Sequence, residues 1–474
     1  MLQKIIHQLN EKDYSLLSLQ MKESKADKFL SLLVSYRQEN TTDKELITIL
    51  KVNPPAFYTL KSRLSEKVQF FLFKNTAETR IELIQNVAKI DQLVYNTPRE
   101  TAIQILKKLE AELIKNDMPN ELIVVYKALK KLHLHSAKHF EYSQLYNKHV
   151  AYNLGQDRAE DLLSSFCKTL SEYYLSRNEI QLNSLVLLKK EMENVCRLYK
   201  SHRLTIYKNI LNIHFALFLS DAAKLHDETT IESMLAESIE ILKNFEDDKV
   251  YKHLIQVINF LYFEYYYQLK LHKNALIYYD KISSKTEALL LLHHSCFASH
   301  FLISKIEYTV NGSKLPDFHL KNDIIEDDPD PENIPNFILF ACHKTSIAFY
   351  EGRYPDAIQC LNKLLREISF KSIAFSEVEV KLFLAMLYLF NKDEEHASVI
   401  LRNVTRKINE EKTNEKYKCV TPFLKLLKSL GKGQSGKKDE KTISLNNYYK
   451  ATNVGQYRIL EYIVLNDELL SKIK

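Results

Sequence analysis

Between residues 96 and 429 apolar side chains recur three and four positions apart, in amphipathic segments of roughly 12–22 residues parted by short polar breaks. The breaks fall at 116–119, 153–155, 221–228, 244–248 and 270–273. This pattern predicts antiparallel helices joined by short turns. A single bundle of that length would share no common core, so hairpins stacked side by side are expected.

Glycine usage narrows the architecture further. The 474 residues contain seven glycines, Gly155, Gly312, Gly352, Gly431, Gly433, Gly436 and Gly455, each where a helical pattern is expected to stop. Ordinary usage is about 7% of a chain. Sheets, dinucleotide crevices and phosphate loops draw on glycine for positive φ or close backbone approach. An all-α fold is therefore expected.

Three segments carry a repeated pattern, at residues 260–282, 340–365 and 380–404. Each has an aromatic-rich helix, a polar turn, and a second helix opened by a small residue: Ala275, Ala357 or Ala397. A large apolar residue follows four positions later, Tyr279, Leu361 or Leu401. The small residue lets two helices approach and the large one fills the groove beside it. With the turn Glu351-Gly352-Arg353-Tyr354 before Pro355-Asp356-Ala357-Ile358, this resembles the tetratricopeptide repeat. Ala357 and Ala397 stand 40 positions apart rather than the usual 34, and the closing proline is missing, so the repeats are degenerate. The resemblance implies a right-handed α-solenoid whose first helices line a concave groove. It places Glu264, Tyr267 and Gln268, then Ser346, Phe349 and Tyr350, then Met386, Leu389 and Phe390 in that groove. Core packing is the competing reading for each of them.

Other stretches divide the chain. Residues 1–95 read as a small N-terminal bundle of shorter helices, and 96–430 as the array. The array is interrupted at 311–336 by a proline-rich, acidic insertion loop. Residues 431–453 read as a flexible linker and 454–474 as a C-terminal amphipathic helix with Tyr457, Leu460, Val464 and Ile473 on one stripe. That helix either caps the last repeat or folds back into the groove, which a linker spanning roughly 25 Å r.m.s. permits.

Within the N-terminal bundle, Asp43 can cap a short helix, residues 51–54 make a turn, and Pro55 starts a longer helix. Phe57, Leu60, Leu64, Val68 and Phe71 would face inward. The arrangement resembles a helix-turn-helix DNA-binding motif, with Arg63 available to guanine and Lys61 and Lys67 to phosphates. The turn lacks its usual glycine and Glu66 would repel phosphate, so a plain helical hairpin with a solvated face is the competing reading.

Charge and candidate chemistry add little. Lys and Arg number 66 against 60 Asp and Glu, a net +6 that selects no partner class. The six cysteines form no CxxC pair and read as reduced and buried. The first residues lack a signal-peptide pattern, and no run of apolar residues is long enough for a membrane span, so a cytoplasmic protein without membrane contact is expected. His293, Cys296 and His300 share a helical face, and His135 and His139 form an HxxxH pair, but neither converges with a partner segment. No catalytic residues, metal or cofactor are expected. The chain reads as a non-enzymatic scaffold holding a protein or peptide segment, with homo-oligomerisation open. The alternative is a transcriptional regulator coupling a helix-turn-helix-like hairpin to a partner-sensing array.

Overall fold

The structure is a computed structural model. It describes residues 2, 6, 11–23, 26–37, 43–50, 52–74, 79–219, 230–245, 249–283, 333–410, 414–430, 459–463, 465 and 469. Among these residues the fold is all-α, with nineteen α-helices and no strand. The chain forms two compact units, Met1–Leu113 and Ile114–Lys474.

The first unit contains α1 (Glu11–Glu23), α2 (Asp27–Arg37), α3 (Asp43–Ile49), α4 (Pro54–Lys74), α5 (Thr79–Ala88), α6 (Ile90–Asn96) and most of α7 (Arg99–Lys115). The division expected after residue 95 is found inside α7, because that helix runs unbroken through the junction. Leu32, Leu33, Tyr36, Leu46, Phe57, Leu64, Val68 and Phe71 form a shared core, with Leu60 packed against it. Phe57, Leu60, Leu64, Val68 and Phe71 are the α4 positions that the helical period turns inward.

The second unit continues with α8 (Pro119–Leu132), α9 (Lys138–Ser176), α10 (Glu179–Leu198), α11 (His202–Phe218), α12 (Ile231–Asn244), α13 (Lys249–Gln268) and α14 (His272–Ser283). It resumes with α15 (Ile334–Tyr350), α16 (Tyr354–Glu367), α17 (Ala374–Phe390), α18 (Glu394–Glu410) and α19 (Thr421–Leu430). Two 3₁₀ turns, Asn414–Tyr417 and Ile459–Tyr462, complete it. Neighbouring helices pack as pairs: α13 with α14, α15 with α16, α17 with α18.

The turns of those three pairs are the same object built three times. Lys270, Gly352 and Lys392 each take positive φ, at 58°, 77° and 60°. In each turn that residue's N–H donates three residues back, to Tyr267, Phe349 or Leu389. The next N–H donates five residues back, from Leu271 to Tyr266, Arg353 to Ala348 and Asp393 to Tyr388. This Schellman closure satisfies the last carbonyls of the first helix and reverses the chain. Ala275, Ala357 and Ala397 follow it and are buried, as their small size at the crossing requires.

One break and one helix differ from expectation. Residues 153–155 do not stop a helix; α9 runs through them for 39 residues, about 58 Å at 1.5 Å per residue. Gly155 is there for space: a Cβ on it would stand 2.5 Å from Cδ2 of Tyr199. The C-terminal stripe is not a continuous α-helix among the described residues, since 459–462 form a 3₁₀ turn and Leu465 lies outside any helix. The linker 431–453, most of the insertion loop, and His293, Cys296 and His300 lie outside the described residues. Residues 334–336, expected within that loop, instead open α15 behind an Asn333 cap.

Candidate functional site

The two helices of each repeated hairpin bury different amounts of themselves. The second helices bury one stripe: Ala357, Ile358, Leu361 and Leu364 on α16, and Ala397, Leu401, Val404 and Ile408 on α18. The first helices are apolar around most of their circumference. Helix α17 buries Phe375, Val378, Val380, the run 382–387, Leu389 and Phe390. A helix buried on all sides needs cover beyond its hairpin partner.

Part of that cover comes from far along the chain. The C-terminal end of α9 packs against α17 and α15. There Ser376 Oγ donates to the carbonyl of Leu175 at 3.0 Å. The guanidinium of Arg177 stands 5.4 Å from the ring centre of Phe375. The turn Ile459–Tyr462 also packs on α17 and α15, and Ile459, Leu460, Tyr462, Ile463 and Leu465 are buried in the common core. The Tyr462 ring meets His343 edge to face at 6.4 Å.

The residues that the resemblance places in a groove, with core packing as the alternative, are buried or half-buried. Glu264, Ser346, Phe349, Met386, Leu389 and Phe390 are buried, and Tyr267, Gln268 and Tyr350 are half-buried. The structure brings Phe349 and Phe390 together edge to face at 4.8 Å, and Tyr354 joins them at 5.7 and 5.8 Å. Tyr267 instead packs on Phe263 at 5.6 Å. This face of the first helices is aromatic and apolar, and it is covered.

The N-terminal hairpin has the expected short helix, turn and long helix, but Lys61 and Lys67 are engaged within the first unit. Lys61 Nζ contacts both carboxylate oxygens of Asp43, at 3.0 and 2.7 Å, and Tyr36 donates its hydroxyl to the same carboxylate at 3.2 Å. Burial, with Asp43 beside it, pushes the Tyr36 phenol up. Lys67 Nζ lies 5.5 Å from the ring centre of Phe29. Arg63 and Glu66, three positions apart, are both exposed. Lys61 thus ties α3 to α4. Lys61→Met is expected to cost about 0.5–1 kcal/mol in a urea titration, the usual worth of a half-exposed ion pair. A phosphate-contacting lysine would give the opposite result, weaker duplex binding with an unchanged urea curve.

Other polar clusters serve the fold. Ser201 caps α11 by accepting from Leu204 N, and donates its hydroxyl to Asp117 Oδ2 at 2.5 Å. Asp117 also accepts from the backbone of Arg203 at 3.3 Å, fastening the turn before α8 to the start of α11. Sequence reasoning missed this pair because its members stand 84 positions apart. Beside it His149 and Tyr152 line a cleft of about 380 Å³, and burial holds the His149 imidazole below its ordinary pKa. Between α10, α11 and α12 a cleft of about 610 Å³ contains Glu193, Lys208, Asn209 and Glu237. Asn209 is committed there, donating to Glu237 at 2.8 Å and to Met234 O at 3.3 Å. Burial pushes the Cys196 thiol at its edge up to about 11, so it is protonated at neutral pH. Along α18 an open groove of about 650 Å³ has Leu389, Ala397 and Leu401 as its floor, with Arg402, Arg406 and Lys428 on its rim.

His139 donates its Nδ1–H to the Lys130 carbonyl, 3.1 Å away, and belongs to the α8–α9 corner rather than to a ligand set. Among the described residues no three His, Cys, Asp or Glu side chains gather as a metal site, and no helix is long and apolar enough to cross a membrane. No protein-family model, curated protein or solved structure matches the chain. The functional reading rests on the fold and its surfaces.

Proposed function

We propose that the second unit is a degenerate, tetratricopeptide-like right-handed array. Its work is to hold a segment of a partner protein against the first helices of its hairpins, without chemistry of its own. The observation that carries this reading is the asymmetry within the repeat. Three identical turns present first helices that are apolar on both sides, and a hairpin alone covers only one. A surface that requires cover from outside the repeat is suited to an apolar or aromatic ligand, at about 25 cal/mol for each Å² removed from water.

Peptides selected from a displayed random library on the immobilised chain test the proposal. The selected sequences are expected to carry recurrent apolar and aromatic positions, and Tyr350→Ala is expected to weaken them about tenfold, as loss of an aromatic anchor does. Selection of no peptide, by the intact chain or by one whose inner face has been uncovered, would end this reading.

A further inference from the structure

The position of the chain's last apolar segment separates two roles that its sequence leaves open. A cap would lie across the final helices, α18 and α19, shielding the end of the array. Instead Ile459–Tyr462 packs on α17 and α15, the first helices of two successive hairpins. It does so with a single 3₁₀ turn and an irregular continuation, so it is not one more repeat.

Its side chains have the chemistry of a bound ligand. Ile459, Leu460, Tyr462, Ile463 and Leu465 are buried, while Glu461 between them is only half-buried. Tyr462 lies against His343. On α15 the positions of Ser346 and Tyr350, three and seven residues beyond His343, share its helical face. The segment therefore reaches the face on which a tetratricopeptide-like array would hold its ligand. It is joined to α19 through residues 431–458, which include Gly431, Gly433, Gly436 and Gly455 and a run of charged residues.

We infer that the inner face of α15 and α17 is a docking surface for a short partner segment of the form apolar-apolar-x-aromatic-apolar, and that Ile459–Ile463, with Leu465, fills it in cis until such a segment displaces it. This rests on the function proposed above and specifies its ligand and its regulation. Attachment to the same chain presents the segment at a raised effective concentration. A free competitor must overcome that advantage, so the intact chain binds its partner weakly and the uncovered chain binds it tightly.

Two measurements test the inference. In the intact chain, amide hydrogen exchange of residues 460–463 should run about a hundredfold faster than that of the α17 core, because a displaceable segment opens without global unfolding. Exchange at the same rate as α17 would make the segment part of the core and overturn the proposal. Second, a fluorescein-labelled peptide of residues 455–474 is titrated into full-length protein and into the full-length Leu460→Asp, Ile463→Asp variant. The variant, with its cooperative thermal melt retained, should bind the peptide at least about tenfold more tightly. Equal binding by a folded variant, or loss of the cooperative melt, would overturn the inference. The wider reading fails separately, on selection of no library peptide by either protein, whereas library peptides selected equally well by both would preserve the scaffold and remove only the cis occupancy.

Discussion

Taking the protein from pH 7 to pH 4 is expected to remove about 3 kcal/mol of stability through the imidazole of His214 alone, at 1.36 kcal/mol per pKa unit. His214 lies in the middle of α11 and is wholly buried. Its Nδ1 meets the Ile210 carbonyl at 2.8 Å, and the Phe218 ring centre is 6.1 Å away. Burial penalises the charged ring and lowers its pKa to about 4, although the Ile210 carbonyl acts in the opposite direction. In the unfolded chain the same ring titrates near 6.5. Between these values the unfolded state binds a proton that the folded state refuses, so stability falls as pH falls through this window and levels off below it. His214→Leu keeps a similar side-chain volume and removes the titration. Urea titrations at intervals from pH 7 to pH 4 should show a shallower loss for the variant, by about 3 kcal/mol across the window. Parallel pH profiles would show that His214 is not the responsible group. Part of the slope should remain in the variant, because burial also lowers the pKa of His149.

The second large effect is steric. Gly155→Val is expected to destabilise the protein by about 2–3 kcal/mol, the usual cost of forcing extra atoms into a packed site. An ordinary helix would respond in the opposite way, since glycine in a helix interior costs about 0.5–1 kcal/mol relative to alanine. The neighbour is the reason. The Tyr199 ring occupies the space of the missing side chain, with Cδ2, Cε2 and Cγ all within 3.2 Å of an added Cβ. Tyr199 has little freedom to withdraw, because the Tyr152 ring stands edge to face with it at 5.4 Å. Tyr199→Ala should weaken the natural protein yet restore stability to the Gly155→Val variant. The coupling, read from the four denaturation curves of a double-mutant cycle, should lie between about 1 and 3 kcal/mol. Additive effects would mean that the contact does not set the glycine.

These two residues also mark where sequence reasoning stopped. His214 sits among Ile210, Leu211, Ile213 and Phe215 and reads as one polar position in an apolar helix. Whether it faces water or core depends on which helices surround α11. Gly155 is legible as an exception, and the commoner role for such a glycine is a helix end. Its actual role needs Tyr199, 44 positions away, and nothing local announces that ring. Lys61 shows the same limit: helical spacing places it on the flank of α4, while only the fold supplies Asp43.

The candidate site divides along the same line. The turns at Lys270, Gly352 and Lys392 and the small residues after them were readable because a helix end and a close crossing impose local demands on backbone and side-chain size. The apolar first helices were readable for the same reason. Periodicity records that a face must leave water, but not what covers it. The end of α9 and the segment 459–465 reach α15 and α17 from positions far apart in the chain, and loop closure of that length costs little more than a short one. The all-helical architecture, the hairpins and the inward face of each helix were thus determined by the sequence itself, through local geometry and burial. Which distant segments meet, and so whether the apolar face of the first helices is open or filled, was decided only by the tertiary structure, because many apolar segments satisfy the same pattern and packing selects among them.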